Sequence, residues 1–176
     1  ESQIPLMEFN LLGFNGYWFP AKKKGYSGTA ILTRFIPDKI VKGMGIEEYD
    51  NEGRLIRVEY KNHTFISVYH PSGSSGDDRQ KFKMKWLDDF DFYIENLRKT
   101  NSKLIISGDF NICHTAMDIH DPVRNRKVSG FLPEERDWID GFFQKGYIDT
   151  FRHLVAEPDH YTWWSYRSKA KEKNLG

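Results

Sequence analysis

The residues best suited to chemistry are Asp109 and Asn111, in Gly108-Asp109-Phe110-Asn111, directly after Leu104-Ile105-Ile106-Ser107. The apolar run is short, rich in β-branched residues and bounded by Asn101-Ser102 and Gly108, the pattern of a buried strand. Side chains alternate along a strand, so Asp109 and Asn111 are expected to project the same way where it ends. A carboxylate and a carboxamide at that edge can ligate a divalent cation, orient a water and hydrogen-bond a phosphate. The same residue types also form turns and helix caps, so the pair needs support from the rest of the chain.

Positioning such a pair takes a sheet, and the sequence supplies strands. Gly28–Thr33 reads as a strand after the approach Lys24-Gly25-Tyr26-Ser27. Asp50-Asn51-Glu52-Gly53 is a turn, and 54–60 alternates apolar and polar residues like a half-buried strand. Lys61-Asn62-His63 turns the chain again, and 64–69 returns as an antiparallel partner. Tyr69 closes that strand, where a half-buried packing residue would be ordinary. It stands just before a Gly/Ser loop, His70-Pro71-Ser72-Gly73-Ser74-Ser75-Gly76. A long helix follows, with Phe82, Trp86, Phe90, Ile94 and Leu97 on one apolar face. A second helix is marked by Pro133 in its first turn, Glu134-Glu135 near its positive end and Gly146 as its stop. Its buried face is Trp138, Ile139, Phe142 and Phe143. Strand pairs interleaved with amphipathic helices predict an α/β fold of packed sheets covered by helices, in one domain over 1–176.

Composition fits one folded domain. The 176 residues include 13 Phe, 9 Tyr and 5 Trp, enough aromatic content for a sizeable core. A net charge of +1 gives no general basic character, leaving room only for a local basic surface. The single cysteine, Cys113, excludes an intrachain disulfide and suits a reducing cytosol, so a cytoplasmic protein is expected. No apolar run approaches the roughly 20 residues that span a membrane. The chain opens on Glu1-Ser2-Gln3, unlike an initiator Met or a signal peptide, and closes on Lys173-Asn174-Leu175-Gly176. A fragment, truncated at both ends, is the expectation.

Six blocks, in order, carry a family resemblance: Gly25-Tyr26-Ser27-Gly28; Val68-Tyr69-His70-Pro71; Ser107-Gly108-Asp109-Phe110-Asn111; Gly130-Phe131-Leu132-Pro133-Glu134-Glu135-Arg136; Asp149-Thr150-Phe151-Arg152-His153; and Tyr161-Thr162-Trp163-Trp164-Ser165-Tyr166-Arg167-Ser168. Together they resemble the exonuclease III and apurinic/apyrimidinic endonuclease family. The wider superfamily, with deoxyribonuclease I, sphingomyelinases and inositol phosphatases, shares the Gly-Asp-Phe-Asn element but not usually the last two blocks. The resemblance implies a four-layer α/β/β/α sandwich of two mostly antiparallel sheets flanked by helices, with the active site at one sheet edge. It implies a DNA repair nuclease that uses Mg2+, or Mn2+ in its place, to hydrolyse the phosphodiester 5′ to an abasic site. Exonuclease activity from 3′ ends and 3′-phosphodiesterase activity belong to the same family. The implied partner is double-stranded DNA with abasic sites or 3′ ends, met by a monomer and with no membrane involved.

The resemblance also implies roles. Asp109 matches the aspartate that activates the attacking water and contacts metal. Asn111 matches the asparagine that hydrogen-bonds the scissile phosphate, and it too is placed at the metal. Tyr69 matches the active-site tyrosine, a hydrogen-bond donor or, as phenolate, a reactive group. Ser72 stands where the family often has Asn, a shorter reach to phosphate. Trp163 matches the aromatic wall of the pocket for an extruded abasic sugar, which is cheap to flip because no base pair breaks. Trp164 and Tyr166 either support that wall or fill the core. Tyr26, downstream of Lys22-Lys23-Lys24, and Asn125, in Arg124-Asn125-Arg126-Lys127, are the candidates for backbone contacts on the two DNA flanks. His70, His114, His120 and His160 match no catalytic histidine and read as surface or packing residues; His153 reads as structural. The family's N-terminal Asn, its metal-binding Glu and its C-terminal Asp and Asp-His residues have no counterpart here, so the polypeptide alone is expected to be inactive. The other readings are a phosphoesterase for a different substrate and a non-catalytic DNA-binding module.

Overall fold

Turn chemistry and alternation set the strands. Gly53 adopts φ +61°, and a Cβ there would meet the Phe19 carbonyl oxygen at 2.5 Å, so only glycine brings the turn this close to strand β1 (Asn15–Pro20). The computed structural model describes residues 6–176, and the opening Glu1-Ser2-Gln3 lie outside them. It divides into two compact units: the chain up to Pro71 with Lys85–Phe110, and Ser72–Met84 with Asn111–Gly176.

The first unit opens with a short helix, α1 (Leu6–Leu11), and holds two sheets. β1 pairs antiparallel with β2 (Gly28–Thr33), Tyr17 facing Ile31. The larger sheet runs β3 (Lys39–Lys42), β4 (Leu55–Tyr60), β5 (His63–Tyr69) and β6 (Leu104–Asp109) in spatial order. Its first three strands are antiparallel and β6 runs parallel to β5. β2 packs against β4 and β5. The core joins Leu55, Ile56, Val58, Ile66 and Val68 to Trp86, Leu87, Phe90 and Ile94 of helix α3 (Asp77–Arg98), none more than 1% exposed. The apolar stripe read from the sequence is therefore core, as expected, with Phe82 half-buried at its start. His70 is a packing residue, stacked on Phe110 at 4.5 Å and against Trp86 at 4.4 Å. Tyr49, on helix α2 (Glu47–Asp50), is buried and its hydroxyl donates to Asp89 at 2.7 Å; burial and that carboxylate push its pKa up.

One expectation fails here. β6 is not a buried strand: Ile105 is 43% exposed, and Ser107, Gly108 and Asp109 are exposed. Among the described residues β6 pairs on one side only, as the edge of its sheet, so its apolar side chains have no second neighbouring strand to cover them. β1 and β3 are not legible in the sequence either, because neither run shows clear alternation.

The second unit contains the first turns of α3, a 3₁₀ turn (Ala116–Asp118), α4 (Pro122–Asn125), α5 (Pro133–Gln144) and α6 (Thr150–Leu154). α5 starts at the expected proline, and Gly146 follows it at φ +97°. Ile139 and Phe142 are buried, Trp138 and Phe143 half-buried, and Phe142 stacks on Tyr147 at 4.2 Å. Among the described residues no helix is long and apolar enough to cross a membrane.

Candidate functional site

Gly108 explains how β6 can deliver Asp109. At φ +150° it lies against β5, and a Cβ would sit 1.8 Å from the Val68 carbonyl oxygen. Any side chain would push the strands apart and lose the register that follows. In that register Val68 faces Gly108 and Tyr69 faces Asp109. Residues directly paired on neighbouring strands present their side chains to the same sheet face, with backbones roughly 4.8 Å apart. Tyr69 and Asp109 therefore stand together at the ends of two parallel strands, on the face shared with Phe65 and Ile105. The pair is brought together across forty residues of sequence.

The end of β5 is held from two sides. The His70 N–H donates to the Asp109 carbonyl at 2.9 Å, and the Tyr69 N–H to the Arg54 carbonyl at 2.8 Å. Arg54 returns a bond from Nη1 to the Tyr69 carbonyl at 2.9 Å, and its guanidinium lies 5.0 Å from the Tyr69 ring centroid. Glu52 accepts from Arg54 Nε at 2.6 Å and neutralises it in place. Sequence reasoning passes over Arg54 as one polar residue of an alternating strand, yet it is only 4% exposed. The clue is a charged residue at the strand's entry, beside a turn that supplies the opposite charge.

Asn111 departs from the alternation argument. β6 ends at Asp109, and Asn111 takes the left-handed conformation at φ +49°, so strand alternation no longer fixes its direction. It belongs to the second unit, where Lys83 Nζ donates to its carbonyl at 2.7 Å. Lys83 is completely buried and pairs at 2.6 Å with Glu135, which is equally buried. The Glu135 carboxylate also accepts from Gln80 Nε2, Ser129 Oγ and the N–H groups of Gly130 and Leu132. Glu135 does lie in the first turn of α5, as expected, but it is an interior partner rather than a solvated end charge.

The residues expected to meet substrate are placed as follows. Tyr26, in the first unit, is 44% exposed with the Lys23 ammonium 5.1 Å from its ring centroid. In the second unit, the Ser72 hydroxyl bonds that of Ser74 at 2.9 Å. Asn125 spends its amide N–H groups on the carbonyls of His120 and Asp121, bracing its own short helix. Trp163 is 63% exposed and Tyr166 fully exposed, so Tyr166 fills no core. Trp164 is half-buried, its indole N–H donating to Asn174 at 3.2 Å. Arg152 fixes the segment before these aromatics: it bonds Asp118 and the carbonyls of Met117, Val155, Glu157 and His160. Burial would raise the Asp118 carboxyl, but the Thr115 N–H and Arg152 outweigh it and hold the group below the usual carboxylate range.

A divalent cation fits this set only in part. Asp109 offers an exposed carboxylate, the hard oxygen ligand that Mg2+ prefers. Among the described residues no three His, Cys, Asp or Glu side chains converge as a cation site. Asp109 can be one ligand; it is not a site by itself.

An α/β chain with a carboxylate and a phenol paired at parallel strand ends has the makings of a phosphoesterase. The endonuclease/exonuclease/phosphatase family matches residues 3–176, and the chain belongs to that family. It is 37% identical over 164 residues to an exodeoxyribonuclease of Bacillus subtilis, covering 93% of this chain and 65% of that protein. It is 38% identical over 167 residues to a DNA-(apurinic or apyrimidinic site) endonuclease of Dictyostelium discoideum, covering 93% of this chain and 46% of that one. A 3′-5′ exonuclease structure from Neisseria meningitidis superposes with a TM-score of 0.91 at 25% identity, covering 100% of this chain and 68% of the other. The chain spans about half to two thirds of the length of these curated relatives.

Proposed function

We propose that the protein is part of a DNA repair nuclease that hydrolyses the phosphodiester 5′ to an abasic site. The observation that carries this reading is the in-register placement of Tyr69 beside Asp109 at an exposed strand end, in a chain of this family. In this reading Asp109 accepts a proton from the attacking water and holds it in line with phosphorus. As the new P–O bond forms, the bond to the departing 3′ oxygen breaks and that oxygen takes a proton from solvent water, leaving a 3′ hydroxyl and a 5′ deoxyribose phosphate. Tyr69 donates a hydrogen bond to a non-bridging phosphate oxygen, and the Asn111 carboxamide donates to the charge that develops there. A Mg2+ ion, or Mn2+ in its place, would be held in part by Asp109 and would supply further charge compensation when bound. Trp163 offers an apolar wall for the extruded sugar, while Tyr26, Ser72, Asn125 and Tyr166 contact the strand around it.

The test is single-turnover cleavage by the full-length protein of a duplex with one abasic analogue, against the same duplex intact, in Mg2+. Cleavage only of the abasic strand, on its 5′ side, is expected. Binding without nicking in either Mg2+ or Mn2+ would leave a DNA-binding module, and preference for another phosphoester would overturn the substrate.

A further inference from the structure

Lys83 and Glu135 have no place in the chemistry above, yet they form the most enclosed ionic contact described in the chain. Both side chains are 0% exposed and meet at 2.6 Å. A buried ion pair costs desolvation that its attraction seldom repays, and an apolar pair of similar volume is often as stable. Its value is then directional rather than cohesive, and its direction is visible. Lys83 spends a second donor on the Asn111 carbonyl at 2.7 Å. Glu135 meanwhile ties down the loop at Gly130 and Leu132, and the Gly130 carbonyl accepts from the Cys113 N–H at 2.7 Å. Asn111 is thus held at its own carbonyl and two residues downstream. Its φ of +49° lies in the left-handed region, which asparagine reaches more easily than other non-glycine residues but which the bonds at Asn111 and Cys113 single out from the extended alternative.

We propose that the Lys83–Glu135 pair is a positioning device for Asn111: it locks the left-handed backbone that aims the carboxamide. The inference rests on the reading of Asn111 as a phosphate ligand. Neither ionic residue touches the reacting atoms; they act through the Asn111 backbone. The lysine is suited to this because one compact ammonium serves two acceptors at once, a carboxylate and a carbonyl.

The decisive variant is Lys83→Met/Glu135→Gln in the full-length protein. It leaves no buried charge unmatched, and the carboxamide oxygen introduced in place of the Glu135 carboxylate can still accept from the loop N–H groups. The variant should melt cooperatively and bind abasic duplex within a few-fold of the parent. Single-turnover cleavage should fall about ten- to a hundred-fold, the scale on which a misplaced group costs rate. Adding Asn111→Ala to it should cost nothing beyond Asn111→Ala alone. Parental cleavage by the double variant, or an effect that multiplies with Asn111→Ala, would overturn the proposal. A readout independent of cleavage separates it from the functional reading. The left-handed backbone gives Asn111 a strong intraresidue HN–Hα Overhauser contact, which should weaken in the double variant. If that contact persists unchanged, the pair does not position Asn111, whatever reaction the protein performs.

Discussion

The two units are held by different forces. In the first, packing is apolar and aromatic: two sheets and the rear of α3 close over Trp86, Phe90, Ile94, Ile56 and Val58. The candidate site residues there are set by a backbone ladder, Tyr69 opposite Asp109. In the second, short helices and loops converge on charged side chains, Glu135 with its cage of donors and Arg152 with its ring of carbonyls. The difference shows two ways to fix a candidate group: a sheet by register, braced at the strand end by the Arg54–Glu52 pair, and a loop by satisfied charge without a ladder.

The comparison breaks most visibly in the second unit. Glu135→Leu alone should destabilise the protein by about 3–5 kcal/mol, because it strands the buried Lys83 ammonium. Adding Lys83→Met should recover a large part of that loss. Denaturant unfolding of the single and double variants checks this, and equal losses would mean the pair is not coupled. In the first unit the largest effect falls on chemistry. Asp109→Asn in the full-length protein should slow abasic-site cleavage by about a hundred-fold or more, while phosphate contacts keep binding intact. Cleavage at the parental rate would make Asp109 structural.

Smaller effects sharpen the contrast. Trp163→Ala should reduce discrimination between abasic and intact duplex by about tenfold or more, on the scale of one lost apolar contact in a selective pocket, and leave hydrolysis competent. Competition binding with the two duplexes measures it. The Asp118–Arg152 pair predicts a pH dependence. The Asp118 pKa is lowered on folding from 3.8, so its stabilisation is complete above that value and lost as pH falls through the lowered one. The stability gap between parent and Asp118→Asn should be widest near neutrality and close in acid. A gap that does not narrow as the pH falls below the ordinary carboxylate range would contradict the assignment. Last, the 176-residue polypeptide should bind Mg2+ weakly, since its described carboxylates and imidazoles do not cluster. Tight stoichiometric binding by calorimetry would show that other residues complete a site.

The sequence alone determined the stripe of α3, the start and stop of α5, the β4–β5 hairpin and the blocks that mark the family. Each is local: a period of side chains, a proline at a helix start or a turn between two strands. Tertiary structure decided that β6 is an exposed edge among the described residues, because burial depends on which neighbours a strand receives. It decided that Tyr69 faces Asp109, because register couples residues far apart. It turned Asn111 away from simple alternation, because the strand ends two residues before it. Lys83 carried a faint signal, lying three residues before Trp86 and seven before Phe90 along the buried side of the helix. A lysine there demands a partner, but no local rule could name Glu135, fifty-two residues away, since charge pairing is chosen by proximity in space.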